Sequence, residues 1–365
     1  TKLSYELKIN TAIRLIKIIQ VIALTIFSCF IALAFQSTRK LWLEGIKGAE
    51  YVDVLLPQVS LEIPGIWIVI GSSLSVRDLL EMRKTSTHMC IIAEMTLIHR
   101  LNSGTITPGD LKISTVKGLI DFFGEESCSK ITTLNLQEFL RIKDSDIENL
   151  SKYFTKLKYL LLNKCEITDG CAVHFEKMIE LTSLDLSACM EIKDLSFLQH
   201  YNDLTSLKLS DLWFIGDISF LQHCKGLTSL DLTRCNQIID ISFLQHCSEL
   251  TNLELFGCIN IGDLSFLEHC KNLTSLSLAS NLKDLSFLEL CKNLTSLSLS
   301  ENYEIKDCSF LQHCQKLTRL DIIRCNNIND LSGLNHCKNL TSLNLSKCDH
   351  IIDISFLQHC KGLIS

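Results

Sequence analysis

The chain has 365 residues, of which 47% are hydrophobic and only three are proline, so it has ample material for a buried core. Its formal charge of −6 provides no basic surface of the kind that binds nucleic acid, which argues against nucleic acid as the main partner. The 18 cysteines are numerous enough for a disulfide framework, but the chain is far longer than small disulfide-rich secreted domains. The spacing of the cysteines must therefore decide their role.

The first 40 residues contain an apolar run at 18–35 that has no charged side chain. Its length reaches the minimum for a membrane-spanning helix. Basic residues precede the run, and Ala32-Leu33-Ala34 resembles the small-residue site at which signal peptides are cleaved. A membrane anchor, a signal peptide and a buried core helix are all compatible with this pattern, so membrane association through residues 18–35 is one expectation.

Residues 41–128 contain no repeat and have the apolar spacing of short amphipathic helices, with Ser75 and Asp78 as candidate caps. From residue 129 to 365 the chain becomes periodic, with an L-x-x-L-x-L motif that returns every 21 to 26 residues. The motif begins at Ile131, Leu157, Leu181, Leu204, Leu227, Leu250, Leu273, Leu294, Leu317 and Leu340, with a partial copy at Leu363. A period of this length is typical of a solenoid.

This segment resembles leucine-rich repeats, about ten of them, with the last copy incomplete. The resemblance implies an α/β solenoid with a parallel inner β-sheet and outer short helices or turns, preceded by a small helical domain and the N-terminal hydrophobic segment. Leu230 and Leu232 alternate with polar residues, as expected for a strand with one buried face. One unit cannot bury its own leucines, so stability must come from stacked neighbours.

The second half of each repeat returns the chain along the outer wall. Asp240 and its equivalents are expected to cap a short helical turn. The phenylalanines of the "SFLQHC" segments should form a buried ladder, which Gly333 interrupts. The histidines of these segments give way to Leu290 in one copy, which favours outer-wall packing over metal binding.

Two sets of cysteines follow the repeat period. The first set lies three residues before the first leucine of a repeat, and the second lies at a turn position where Asn281 and Asn302 replace cysteine in two copies. This interchange indicates a packing and hydrogen-bonding position rather than a redox partner, and a buried free thiol packs as a small hydrophobic group. Zinc requires a closed cluster of four ligands, so neither a metal nor another cofactor is predicted.

Function is expected to lie in binding. The sequence contains no P-loop, no G-x-S-x-G, no H-E-x-x-H and no dinucleotide fingerprint, so no catalytic residues are predicted. A solenoid presents variable side chains on a wide concave surface. The candidate target-binding residues are those that depart from the Ser/Thr pattern, with Phe256 and Ile323 as apolar centres inside a charged rim. They are Asp185, Lys208, Asp211, Asp231, Arg234, Glu254, Phe256, Asp321, Ile323 and Arg324.

Residues 63–101 add a more specific hypothesis, because "IPGIWIVIGSSLSVRDLLEMRKTSTHMC" at their start resembles an F-box. An F-box followed by leucine-rich repeats implies a substrate receptor of a cullin-RING ubiquitin ligase, which acts by holding a protein target near the ubiquitin-loading enzyme. The Skp-type adaptor, and through it the cullin, would then be partners. The adaptor contacts implied by the resemblance are Ile63, Pro64, Ile66, Ile70, Leu74, Asp78, Leu79 and Leu80.

Two alternatives place the protein elsewhere. The ligase hypothesis requires a cytoplasmic protein, possibly anchored in a membrane. The "ISFL…LTSLDL" phrasing also resembles internalin-like bacterial repeats, which implies a secreted or surface recognition protein. A bacterial effector that carries an F-box-like segment into a host is the third hypothesis.

Overall fold

The computed structural model describes residues 74–364, apart from 85, 86, 140, 280, 281, 283, 284 and 352. Ile63, Pro64, Ile66, Ile70 and the apolar run at 18–35 lie outside the described residues. Within the described part of the chain, no helix combines the length and the apolar character needed to cross a membrane. The described residues up to Ile106 and those from Thr107 onward belong to two compact units, and each is considered by itself.

The first unit contains helix α1 (Val76–Met82) and helix α2 (Thr87–Asn102), which pack against each other. A capping box starts α1: Ser75 Oγ accepts from the Asp78 N–H at 3.2 Å, and the Asp78 carboxylate accepts from the Ser75 N–H at 3.1 Å. Leu79 is completely buried, and α2 buries an apolar face that includes Leu97. The predicted helices and their cap are therefore present.

The first part of the second unit contains helices α3 (Val116–Phe123) and α4 (Glu125–Cys128), and helix α5 (Asp144–Tyr153) follows the first strand of the sheet. Thr115 caps α3 by accepting the Gly118 N–H at 3.0 Å. Leu119 and Ile147 are buried and close the first end of the repeat array. Contacts divide the chain between Ile106 and Thr107, so helices α3 and α4 belong to the same unit as the repeats.

The repeats form one ten-stranded parallel sheet in which the strand order follows the chain. The short alternating motif of each repeat makes one strand, and equivalent leucines pair in register, as Leu230 does with Leu253. The strands are β1 (Thr133–Asn135), β2 (Tyr159–Leu161), β3 (Ser183–Asp185), β4 (Ser206–Lys208), β5 (Ser229–Asp231), β6 (Asn252–Leu255), β7 (Ser275–Ala279), β8 (Ser296–Ser300), β9 (Arg319–Ile323) and β10 (Ser342–Asn344). This sheet confirms the predicted leucine-rich-repeat solenoid.

Threonine hydroxyls add a second ladder beside the sheet. The residue after the first leucine of most repeats is threonine, and its hydroxyl donates to the carbonyl of its equivalent one repeat earlier, as Thr228 does to Thr205 at 2.9 Å. The backbone N–H of Thr228 donates to the same carbonyl at 2.8 Å. These threonines therefore hold neighbouring repeats together, and their recurrence is structural.

The outer wall consists of short 3₁₀ turns such as Ser219–His223 and Ser242–His246. The Asp240 carboxylate accepts the Ser242 N–H at 2.8 Å, and hydrogen bonds from Ser242 lower the Asp240 pKa. The N-cap residue of this turn is Ile241, so Asp240, the predicted cap, binds the start of the turn from one residue before the N-cap position. The same bond recurs at every other equivalent aspartate of the described residues. Asp284 lies outside the described residues.

The phenylalanine ladder is present but uneven. Phe197, Phe220, Phe266 and Phe310 are buried, whereas Phe243 and Phe287 are only half-buried. Gly333 interrupts the ladder for a steric reason, because a Cβ at this position would lie 1.8 Å from the Cys308 carbonyl oxygen.

The two cysteine sets have the packing role that their spacing predicts. In the turn set, Cys258 Sγ donates to the Leu232 carbonyl at 2.9 Å and Cys235 Sγ to the Leu209 carbonyl at 3.1 Å. The other set stacks from repeat to repeat, as Cys247 does against the Cys224 carbonyl at 3.6 Å. Burial raises the pKa of Cys258 to about 11 and that of Cys247 to about 12, so both thiols stay protonated at neutral pH.

Candidate binding surface on the inner sheet

The inner face of the sheet carries the side chains that alternate with the buried leucines. On strands β4 to β6, Lys208, Asp231 and Glu254 occupy equivalent positions and pair in register. Adjacent strands lie about 4.8 Å apart, so two carboxylates stand side by side. We call Asp231 and Glu254 the acidic pair.

The acidic pair is electrostatically unfavourable as it stands. Like charges opposite each other on adjacent strands destabilise a sheet by roughly 0.2–1 kcal/mol. Burial raises the pKa of Glu254 and the Asp231 carboxylate raises it further, while a hydrogen bond from Ser277 opposes both. Among the described residues, neither carboxylate forms an ion pair with a basic side chain. A cationic group brought by a partner would relieve the repulsion.

In eight of the described repeats, one residue adopts the left-handed conformation one to three positions after the strand. The turn cysteine or its substitute follows this residue immediately. The set comprises Lys164, Ala188, Asp211, Arg234, Gly257, Glu301, Arg324 and Lys347. The N–H of Arg234 donates to the Phe256 carbonyl at 2.7 Å, and equivalent bonds recur along the row. These bonds offset the cost of about 1–2 kcal/mol that a non-glycine residue incurs in this conformation.

This row produces ion pairs between neighbouring repeats. Asp211 pairs with Arg234 at 3.5 Å, and Glu301 pairs with Arg324 at 2.5 Å. The Arg234 guanidinium also lies 6.0 Å from the ring centroid of the half-buried Phe256, at the outer limit of a cation–π contact. Gly257 keeps room for the Arg234 stem, because a Cβ there would lie 2.9 Å from Arg234 Cγ. The structure thus joins Asp211, Arg234 and Phe256 into one cluster beside the acidic pair.

A second cluster lies three strands away. Arg319 Nε donates to the Asp321 carboxylate at 2.9 Å, and the half-buried Ile323 follows on the same strand. Sequence reasoning missed Arg319 and Glu301, which hold the predicted Asp321 and Arg324. Glu301 could have been found from the sequence, because it directly precedes the turn position, as the candidates Arg234 and Arg324 do.

Some candidate residues on both surfaces are less exposed than a contact residue needs to be. Asp185 is only 4% exposed and Asp321 only 9%, so neither is displayed. The Asp185 carboxylate accepts the Ser187 N–H at 2.9 Å. Leu79 is buried within its own unit, whereas Leu74, Asp78 and Leu80 are half-buried. Asp231 also accepts an N–H, that of Thr233 at 2.9 Å, but stays half-exposed.

Comparison with known proteins agrees with the repeat fold. A family model described as leucine-rich repeats (two copies) matches residues 292–336. An internalin of Listeria monocytogenes, InlF, is 25% identical, with a TM-score of 0.55 over 72% of this chain and 82% of that chain. Internalin C2 of the same organism is 26% identical over 53% of this chain and 81% of that chain, with a TM-score of 0.45. No curated protein matches the sequence.

The repeats therefore form a scaffold of the kind that leucine-rich-repeat proteins use for protein–protein interaction. Within the described residues, no group of three or more potential ligand side chains is placed to hold a metal ion.

Proposed function

We propose that this chain is a non-catalytic recognition protein of the internalin-like kind, which binds a protein partner on the inner face of strands β4 to β6. The observation that carries the proposal is the acidic pair beside the Asp211–Arg234–Phe256 cluster. Two neighbouring carboxylates without a basic side-chain partner in the described part of the chain favour a positively charged group of the binding partner, and the half-exposed Phe256 ring beside them offers an apolar contact. The InlF likeness supports the recognition-protein hypothesis.

The cysteines are compatible with a secreted or surface location. In the described residues, the repeat thiols are free and buried, and burial raises the pKa of most of them, as at Cys235 and Cys291. Cys189 is an exception, because its hydrogen bond with Cys165 lowers its pKa. A protonated thiol without solvent access reacts slowly with oxidants. Free cysteines therefore do not require a reducing compartment here.

Site-specific crosslinking tests the binding face. A photo-crosslinking residue replaces Ser229 on the inner face of β5 in one full-length chain, and Gln245 on the outer wall in another. We expect a partner to crosslink to the residue at position 229 and not to the residue at position 245. Crosslinking from position 229 should disappear when Glu254→Gln and Phe256→Ala are introduced into the same chain. A partner captured only from Gln245 would overturn the proposal.

The adaptor hypothesis is a second candidate, because a capping box starts a helix at the predicted F-box step. Leu80 is a better probe than Leu79, whose replacement would open the core of the unit. If the adaptor binds, Leu80→Glu should abolish pull-down of a Skp-type adaptor by the full-length chain. Absence of pull-down by the unmodified chain would end this hypothesis and leave the inner-face proposal intact.

A further inference from the structure

Two aromatic side chains are exposed in the segment that follows strand β4. Trp213 is 47% exposed and Phe214 is 63% exposed. They follow Leu212, which takes the place of the turn cysteine and is buried. Polar residues Asn236 and Asn326 occupy the position of Trp213 in other repeats, so the repeat fold does not require an aromatic residue here.

Met190 extends this apolar surface into the preceding repeat. It occupies the position equivalent to that of Trp213 and is also exposed. The N–H of Ala188 donates to the Ser210 carbonyl at 2.8 Å, which keeps the two repeats stacked at this point. We call Met190, Trp213 and Phe214 the aromatic edge.

The aromatic edge continues from the inner-face site. Asp211 lies two residues before Trp213 and pairs with Arg234, which approaches Phe256. A partner seated on the acidic pair can therefore reach the edge across this cluster.

The surroundings of the edge are acidic. Apart from the buried Asp185, the segments of these three repeats at 186–195, 208–218 and 231–241 contain six carboxylates and three basic side chains, a net charge of −3. This charge is complementary to lysine and arginine and repels the anionic surface of a membrane. Exposed aromatic side chains in a charged rim are typical of protein-binding anchors.

We propose that the aromatic edge extends the inner-face site and binds a protein segment that combines basic and apolar side chains. This inference rests on the proposed function, because it names the chemistry of the partner that the inner face receives. Lysine or arginine of the segment would meet the acidic pair, and its apolar side chains would cover Trp213 and Phe214.

Peptide selection tests the inference. A random peptide library is selected on the full-length chain, and the selected peptides are measured on three variants: Trp213→Ser/Phe214→Ser, Asp231→Asn/Glu254→Gln and Ile179→Ser. Ile179 is a matched control, because it is 66% exposed and precedes strand β3 rather than following it. We expect selected peptides to be rich in basic and apolar residues, and to bind the first two variants at least ~10-fold more weakly, which is about 1.4 kcal/mol. The Ile179 variant should bind like the unmodified chain.

The outcomes separate the two proposals. Loss of binding in the acidic-pair variant alone would overturn the role of the edge and leave the proposed function standing. Unchanged binding in both variants, or selection of acidic peptides, would overturn both. A fluorescence blue shift of Trp213 with phosphatidylcholine vesicles, in a chain with Trp42→Phe and Trp67→Phe, would indicate lipid insertion and overturn the inference.

Discussion

Strands β4–β6 and strands β7–β8 share one leucine core but display different inner faces. The first group carries the acidic pair and Phe256, whereas the second shows almost only serine, as at the in-register partners Ser277 and Ser298. The threonine ladder runs through both, with Thr251 bonded to the Thr228 carbonyl at 2.9 Å and Thr295 to the Thr274 carbonyl at 3.1 Å.

The positions that build the solenoid therefore differ from those that give it a binding surface. Leucine and threonine positions are nearly the same in both groups, so they determine the fold. The turn position holds Leu212, Cys235 and Cys258 in the first group and asparagine in the second. Inner-face positions between the leucines are free to vary. Changes at the first kind should alter stability. Changes at the second kind should alter binding, with at most a small gain in stability of roughly 0.2–1 kcal/mol where the repulsion in the acidic pair is removed.

The largest expected effect comes from alkaline pH, which deprotonates the buried cysteines of both groups of strands. Burial raises the pKa of Cys235, Cys291 and Cys314 to about 12, above the ordinary value of 9.0. The folded chain therefore holds these protons to a higher pH than the unfolded chain. Stability should be fully present below pH 9 and decrease as the pH rises toward 12, by on the order of 1 kcal/mol per pH unit for each thiol.

Urea unfolding between pH 8 and about 11, followed by circular dichroism, measures this loss. Thiol accessibility to a chromogenic disulfide reagent should rise along with unfolding. Thiols that react fully at pH 8 in the folded chain would contradict the assignment of these cysteines to the core.

The next effect concerns Gly333, where the repeat pattern and the structure give opposite expectations. Gly333→Phe restores the residue found at this position in other repeats, which by pattern alone should complete the ladder. Because a Cβ would lie 1.8 Å from the Cys308 carbonyl oxygen, we expect a loss of about 3 kcal/mol in the free energy of unfolding. Gly262→Ala is the control, since a Cβ there meets nothing within 4 Å. A more stable Gly333→Phe chain would refute the steric explanation.

Much of the fold was predictable because the residue pattern within each repeat indicates the local structure of that repeat. Alternating leucines such as Leu230 and Leu232 predict a strand. The Asn–Cys interchange predicts a hydrogen-bonding position, which holds for Cys235 and Cys258 but not for Asn302, whose buried amide has no hydrogen-bond partner among the described residues. The binding surface was less predictable. Arg234 carries no sequence signal for a left-handed conformation, so its pairing with Asp211 across a repeat boundary required the structure. Asp185 and Asp231 are the same residue type at equivalent positions, yet only Asp231 is displayed, because burial depends on neighbouring repeats.

The turn cysteines provide a smaller test of the fold positions. Cys258 Sγ lies 2.9 Å from the Leu232 carbonyl, whereas Cys325 Sγ, at the equivalent position, lies 3.8 Å from the Leu299 carbonyl. Cys258→Ala should lower the free energy of unfolding by about 2 kcal/mol and Cys325→Ala by about 1 kcal/mol, since only the first loses a short hydrogen bond as well as packing. Urea midpoints of the two variants measure the difference. Equal losses would mean that packing alone determines the cysteine position.

The smallest expected effect compares Ser277→Ala on β7 with Ser298→Ala on β8. Each should change the free energy of unfolding by less than about 0.5 kcal/mol, because neither serine position determines the fold. Ser277 lowers the pKa of Glu254 by hydrogen bonding, so its removal raises that pKa further. Binding of a basic peptide requires ionised Glu254, and in the Ser277 variant it should therefore begin to weaken at a higher pH as the solution is acidified. The Ser298 variant should keep the original pH profile. Identical profiles for both variants would show that Glu254 does not receive the cation, and the acidic pair would then lose its role in recognition.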